Sequence, residues 1–103
     1  MEIHVNEHGG NVVVSLVEPS DFKRFSVMSS AGSADSVAAL LARAGIGRAA
    51  AEDEVFVDIE AVRNLAGNAR DAAWDEQFAG MLAYAASKGW LDDAKASIRA
   101  HIG

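Results

Sequence analysis

The chain has 103 residues and a formal net charge of −6, with acidic residues in excess in each third of the sequence. This length fits a single domain, residues 1–103, and an evenly spread acidic charge argues against binding to nucleic acid. The absence of cysteine excludes disulfides, thiolate metal ligands and a cysteine nucleophile.

Two features of the N-terminal region concern the compartment. Residues 1–5 lack the basic and apolar regions of a signal peptide. The apolar run Val12–Val14 is far too short to cross a membrane. The composition, rich in alanine and poor in lysine, is typical of bacterial proteins. We therefore expect a cytoplasmic protein that does not contact a membrane.

The first elements in chain order are predicted to form a β-hairpin. Polar and apolar residues alternate over Glu2–Glu7, which is typical of a half-buried strand. Gly9 and Gly10 then indicate a tight turn, because glycine tolerates positive φ. The β-branched run Val12–Val17 predicts a returning strand that is more fully buried than the first. A turn this short makes the pair antiparallel.

Two local structures are compatible with Phe22–Ser29. Phe25 and Val27 alternate with more polar neighbours, which favours a third strand beginning near Lys23. The alternative is a helical turn, because Pro19 is suited to begin one and the two phenylalanines of the segment are three residues apart.

A first helix is predicted after a loop at residues 29–32. Ser33 is a suitable N-cap, and apolar residues repeat at helical spacing as far as Gly45, which is placed to end the helix. In Ala49–Glu54 alanines are followed by acids, which indicates a solvent-exposed connector. Val55–Val57 indicates a short strand.

Three more helices are predicted in the rest of the chain. Asp58 is placed to cap the first of them, and Asp71 to cap the longest, at about residues 72–88. A final helix is expected from Asp92 or Asp93 onward. The predicted fold class is therefore α+β, with an N-terminal antiparallel β-hairpin extended to a sheet of three or four strands and packed against about four helices.

His4 and His8 are the first candidates for a metal site. On an extended strand they would lie about 13 Å apart, too far for two ligands of one zinc ion, whose bonds to nitrogen are about 2.0–2.1 Å long. The acidic run Glu52–Glu54 lacks the alternating spacing and the glycine of a calcium loop. We therefore predict no metal site, and no cofactor is expected.

A second candidate site lies near the end of the chain. On the predicted final helix, Arg99 and His101 would form a cationic corner with Lys95, able to bind a carboxylate or a phosphate. Tyr84 and Trp90 lie near the end of the longest helix, where an α+β fold leaves a crevice. The predicted ligand-binding residues are therefore Tyr84, Trp90, Arg99 and His101.

Gly80, inside the longest helix, is the strongest signal for close packing. Glycine in a helix costs about 1 kcal/mol relative to alanine, so we expect another element to approach closely there, from this chain or from a second copy. Gln77, Gly80 and Tyr84 form a stripe beside the core face and are the predicted interface residues.

No catalytic constellation is recognisable in the sequence. The first functional hypothesis is therefore a non-enzymatic protein-interaction or self-associating domain, whose partner is a second copy or another protein. The alternative is a small-molecule-binding domain or minor enzyme with a pocket between the sheet and the C-terminal helices. A third hypothesis is a regulatory protein that meets a basic partner through its acidic surface.

Overall fold

The computed structural model describes residues 1–31 and 33–102; Gly32, at the end of a predicted loop, and Gly103 lie outside the described residues. Within these residues the fold is α+β, as predicted. It has six strands and three α-helices, whereas three or four strands and about four helices were expected. The strands are β1 (Glu2–His8), β2 (Asn11–Val17), β3 (Ser26–Met28), β4 (Gly47–Ala51), β5 (Glu54–Asp58) and β6 (Ser97–Ile102), and the helices are α1 (Ala34–Arg43), α2 (Ile59–Ala66) and α3 (Ala72–Ser87).

The strands form one mixed sheet in the order β2-β1-β3-β6-β5-β4. The pairs β1–β3 and β3–β6 are parallel, and the other pairs are antiparallel. The sheet is curled, so that α1 contacts β1 on one side and β4 and β5 on the other. The hydrophobic core lies between the concave face of the sheet and the helices.

The predicted N-terminal hairpin is confirmed. β1 and β2 pair along their full lengths without a shift in register, and Gly9 and Gly10 turn the chain with φ values of 58° and 85°. Ile3 and Val5 are fully buried on the core face, as the alternation of β1 predicts.

The expected deep burial of β2 is wrong. β2 is an outer strand of the sheet, and its residues alternate between half-buried and exposed. Val13 and Val17 are 50% and 37% exposed. A run of β-branched residues indicates a strand, but it does not decide whether one face or both faces of that strand are covered.

The predicted connector at 49–54 is also wrong over most of its length. Residues 47–51 form β4, the outer strand at the opposite end of the sheet, and β4 pairs with β5. Alanine is depleted in strands, so this segment carries little β signal of its own. Its pairing with the Val55–Val57 strand, which the sequence predicts correctly, holds it in the sheet.

The largest correction concerns the predicted final helix, because residues 97–102 form β6, a central strand between β3 and β5. Ile98 and Ile102 are four residues apart, a spacing that puts them on one face of a helix or on one face of a strand. Ala100 lies between them and is also buried. The positive φ of Lys95, 57°, breaks any helix that begins at Asp92.

Residues 22–29 match neither alternative fully. The strand interpretation is right only for the three residues of β3, and the preceding residues are irregular. β3 runs parallel to both of its neighbours, and the chain reaches it by a crossover from the outer strand β2.

The helix signals are largely confirmed. The side chain of Ser33 accepts a hydrogen bond from the Ser36 N–H, and that of Asp71 accepts one from the Trp74 N–H. Gly45 and Gly89 end α1 and α3 with positive φ. Asp58 precedes α2 but makes no capping hydrogen bond with its side chain.

α3 covers the remaining opening of the core with aromatic side chains. Trp74 is 3% exposed and stacks on Phe78 at 4.8 Å between ring centres. The Trp74 indole donates a hydrogen bond of 2.7 Å to the carbonyl oxygen of Pro19. This contact joins α3 to the crossover between β2 and β3. No helix in 1–31 and 33–102 has the length and apolar composition that crossing a membrane requires.

Candidate functional site

A cleft of about 300 Å³ opens between α3 and β6, and we call it the α3–β6 cleft. Five parts of the chain line it: the segment before β3, the second half of α3, Trp90 just beyond the end of α3, and the strands β5 and β6. The lining residues are Phe22, Lys23, Arg24, Phe25, Glu54, Met81, Tyr84, Ala85, Trp90, Ile98, Arg99 and His101.

The cleft lies beside an interruption in the pairing of β6. On the side away from β5, the end of β6 pairs with β3, where Ser26 faces His101. Nearer its start, β6 is bridged instead by Leu91, which faces Ile98. Phe25, just before Ser26, and Trp90, just before Leu91, both line the cleft.

Trp90 is a fixed part of the cleft wall. Its N–H donates to the Ala85 carbonyl oxygen at 2.9 Å, which completes the C-terminal turn of α3 after Gly89. Its own carbonyl oxygen accepts from the Arg99 N–H at 2.7 Å. The Tyr84 ring meets the Trp90 ring edge-on at 5.8 Å, and the two side chains are 57% and 41% exposed.

The outer face of β6 supplies the charged groups. Ile98 and Ala100 point to the core, so Arg99 and His101 share the opposite face. Glu54 on β5 faces His101 across the strand pair. One of its carboxylate oxygens is 3.5 Å from His101 Nε2, and the other is 3.9 Å from Arg99 Nη1.

Arg99 has unused hydrogen-bonding capacity. Its guanidinium carbon lies 5.6 Å from the centre of the Phe56 ring. Its Nε atom is buried and has no acceptor within the described residues. A buried donor without a partner costs about 1–3 kcal/mol. The rest of the guanidinium is accessible, since the Arg99 side chain is 37% exposed.

The cleft is cationic, although the protein as a whole is acidic. Lys23, Arg24 and Arg99 line it, together with His101, and Glu54 is the one carboxylate in the lining. A charge that is spread evenly along the sequence therefore coexists with a local group of cations in the structure. Lys23 and Arg24 are far from Arg99 in the sequence, and only the crossover into β3 brings them to β6.

A buried polar network supports the start of β6. Ser97 is 1% exposed, and its hydroxyl donates to Asp58 Oδ1 at 3.0 Å. The Arg48 guanidinium donates to the Ser97 hydroxyl oxygen at 3.1 Å and to Asp92 Oδ2 at 3.0 Å. Asp58 is therefore engaged with β6, which is why it does not cap α2.

Asp92 holds the turn that leads into β6. Its Oδ1 accepts from the backbone N–H groups of Ala96 and Ser97, at 2.9 Å and 3.0 Å. Burial raises the pKa of Asp92, but hydrogen bonds from Arg48, Ser97 and Ala96 outweigh burial. The net effect lowers the pKa below its ordinary value of 3.8.

The four residues predicted from the sequence to bind a ligand all line the α3–β6 cleft, which brings Tyr84, Trp90, Arg99 and His101 together. The structural reason given for two of them is wrong, because Arg99 and His101 lie on a strand. Lys95 is not part of the lining. Four further lining residues were not predicted from the sequence, namely Lys23, Arg24, Phe25 and Glu54. The basic pair beside Phe22 and Phe25 was the available signal.

The predicted interface stripe lies on the outer surface of α3. Gln77, Gly80 and Tyr84 are exposed. A Cβ atom added to Gly80 would have no heavy atom within 4 Å. The expectation that another element of this chain approaches Gly80 is therefore wrong, and an approach by a second molecule stays a prediction.

The histidines of the N-terminal hairpin are separate from the cleft. His4 Nε2 lies 3.1 Å from Glu2 Oε1 on the same face of β1, and His8 is exposed at the end of the strand. In the part of the chain that the structure describes, no three His, Asp or Glu side chains are grouped to hold a metal ion.

Comparison with known proteins adds no relatives. The chain matches no known family, and neither a curated protein nor a solved structure is significantly similar to it. Its function is therefore inferred from the geometry of the α3–β6 cleft alone.

Proposed function

We propose that this protein is a non-enzymatic binding domain whose α3–β6 cleft takes a small anionic ligand with a flat apolar body. The observation that carries the proposal is the group of Lys23, Arg24 and Arg99 in a cleft walled by aromatic side chains. The Arg99 side chain is 37% exposed, so a ligand in the cleft can reach its guanidinium. A carboxylate or phosphate of the ligand would accept hydrogen bonds from it.

Charge supports an anion over a neutral ligand. The cleft concentrates Lys23, Arg24 and Arg99 in a protein with a net charge of −6. Cations grouped on an acidic protein create a local attractive field for anions, while the surrounding surface repels them. Glu54 lies 3.9 Å from Arg99 and offsets part of this charge. Lys23 and Arg24 still leave the lining net positive.

The aromatic wall supports a flat ligand body. Tyr84 and Trp90 are large, exposed and held edge to face. Phe25 lines the cleft as well. A volume of about 300 Å³ is at the small end of ligand pockets. We therefore infer a ligand of metabolite size, such as an aromatic carboxylate or an aryl phosphate.

Binding is favoured over catalysis by the composition of the lining. Glu54 and His101 form an acid–base pair, but in the described residues the cleft offers them no serine or threonine hydroxyl to activate. The acid–base pair therefore has no serine or threonine hydroxyl to activate, and the role proposed for the cleft is recognition of an anion.

The proposal is tested with 2-naphthoate, its uncharged analogue 2-naphthamide, and phenyl phosphate. Binding is followed by amide chemical shifts and by the indole N–H signal of exposed Trp90, with the indole N–H signal of buried Trp74 as the internal reference. We expect the anions to bind at least about tenfold more tightly than the amide, which corresponds to about 1.4 kcal/mol.

Arg99→Gln tests the residue that carries the proposal. It should lower anion affinity at least about tenfold, because a hydrogen bond to a charged group contributes about 1.5–3 kcal/mol. Arg70→Gln is the matched control, since Arg70 pairs with Asp75 outside the cleft. Equal affinity of wild type and Arg99→Gln for the anion, or equal affinity for anion and amide, would refute the proposal.

A protein-interaction role is the second candidate, and it uses the outer surface of α3. Packing within the chain does not explain Gly80, which has open space around it in a helix. Gln77, Gly80 and Tyr84 offer a flat surface to an element of another protein. Gly80→Leu should then abolish capture of that protein while leaving anion binding in the cleft intact, and unchanged capture would exclude this surface.

A further inference from the structure

The two outer strands of the sheet differ in how well their free edges are protected. β4 is short, carries Arg48, and has a register irregularity between Ala49 and Ala51. Charges and bulges of this kind keep an edge from pairing with another chain. β4 is therefore a protected edge.

β2 has none of these features. It is seven residues long, contains no charged residue and no proline, and pairs with β1 without a bulge. Val13 and Val17 are exposed on its outer face, at 50% and 37%. In the described residues its other edge pairs with no strand. Such an edge is a template for a further strand.

We propose that two copies of this protein associate through β2, which pairs with itself in antiparallel orientation and joins the two sheets into one. The pattern of β2 is self-complementary about Val14. A two-fold axis there would set Val12 opposite Leu16 of the second copy and Val14 opposite Val14 of the second copy. These three residues are half-buried and pack against the core, so the pairing extends both hydrophobic cores.

The ends of β2 leave this register open to a second copy. The Arg43 guanidinium donates to the Gly10 carbonyl oxygen at 2.8 Å and pairs with Glu7, so the charge at the first end of the strand is already balanced. Glu18 follows the other end at a φ of 52°, which turns the chain out of the strand. The seven uncharged residues of β2 therefore set the register, and the same strand of a second copy fits them.

The association is independent of the α3–β6 cleft. β2 is three positions away from β6 in the sheet, or about 14 Å at the usual strand spacing. A single strand pair buries less area than the roughly 1,600 Å² of a standard interface. We therefore expect a dimer that dissociates in the micromolar range or above, with both clefts open.

Two double variants at exposed positions test the pairing and its register. In the proposed register Val13 faces Ser15 of the second copy. Val13→Lys/Ser15→Lys would place like charges opposite each other twice, whereas Val13→Lys/Ser15→Glu would place opposite charges there. Both side chains point to solvent within one chain, so the fold should tolerate either variant, which circular dichroism checks.

Sedimentation velocity from about 5 μM to about 1 mM at 0.15 M salt measures the association. We expect the wild type to dimerise with rising concentration, the Lys/Lys variant to dimerise at least tenfold more weakly, and the Lys/Glu variant to dimerise at least as well as the wild type. A monomeric wild type throughout this range would overturn the proposal. So would equal behaviour of the two double variants, or loss of the dimer in Gly80→Leu alone.

Discussion

Replacing glycine by alanine is expected to change stability in opposite directions at Gly47 and at Gly80. Gly47 begins β4 opposite Val57. A Cβ atom added to Gly47 would lie closer to the Phe56 carbonyl oxygen than 3.0 Å, a separation below which real Cβ atoms are essentially never found. It would also lie 3.2 Å from Leu41 Cβ. The obstructing atom is backbone, so β4 must shift away from β5 to accept Gly47→Ala.

The expected loss follows from this overlap. Inserting a methyl group that forces a backbone shift costs about 1–3 kcal/mol, and two contacts at Gly47 place it at the upper end, near 2–3 kcal/mol. At about 4–8 °C per kcal/mol for a domain of this size, Tm should fall by roughly 10–20 °C. Gly80→Ala meets no atom within 4 Å. It should raise the free energy of unfolding by about 0.5–1 kcal/mol, through helix propensity.

Urea denaturation followed by circular dichroism measures both variants against the wild type. Equal m-values confirm that each variant unfolds from the same compact state. A Gly47→Ala variant within about 0.5 kcal/mol of the wild type would refute the close-approach argument, since surface substitutions have effects of that size. Destabilisation by Gly80→Ala of the monomer would show that an element of this chain does require the glycine.

Two further predictions concern the turn into β6. Because its pKa is lowered in the folded state, Asp92 stabilises the fold above pH 3.8 and loses this effect as the pH falls through the lower folded value. The difference in unfolding free energy between wild type and Asp92→Asn should therefore shrink below pH 3.8, and a constant difference would contradict it. Lys95→Gly should raise stability by roughly 0.5 kcal/mol, because Lys95 has a φ of 57°. Lys88→Gly, at a φ of −94°, is the control and should not stabilise; a lower Tm for Lys95→Gly would count against the strain.

The N-terminal hairpin and the helix ends were predictable from the sequence because their causes are local. Ser33 and Asp71 cap helices with groups three residues ahead of them. Gly45 and Gly89 supply the positive φ that ends a helix. Each of these signals lies within one turn of the structure that it determines.

Parts of the candidate site were predictable for a different reason. Tyr84 and Trp90 follow from the end of α3, where the helix terminates and the aromatic residue after it packs back. Arg99 and His101 were selected for their charge, and the wrong element still placed them close together. The pairing of Lys23 and Arg24 with them needs the crossover from β2 to β3, which no short segment encodes.

The sequence by itself determined the fold class, the hairpin and the helix caps, since these depend on residues a few positions apart. Only the tertiary structure decided that residues 97–102 are a strand. Their apolar spacing fits a helix and a strand equally, and the backbone partners in β3 and β5 select the strand. The same long-range pairing buries Ser97, exposes β2 as an edge and assembles the cationic α3–β6 cleft, because burial and charge density depend on which distant segments meet.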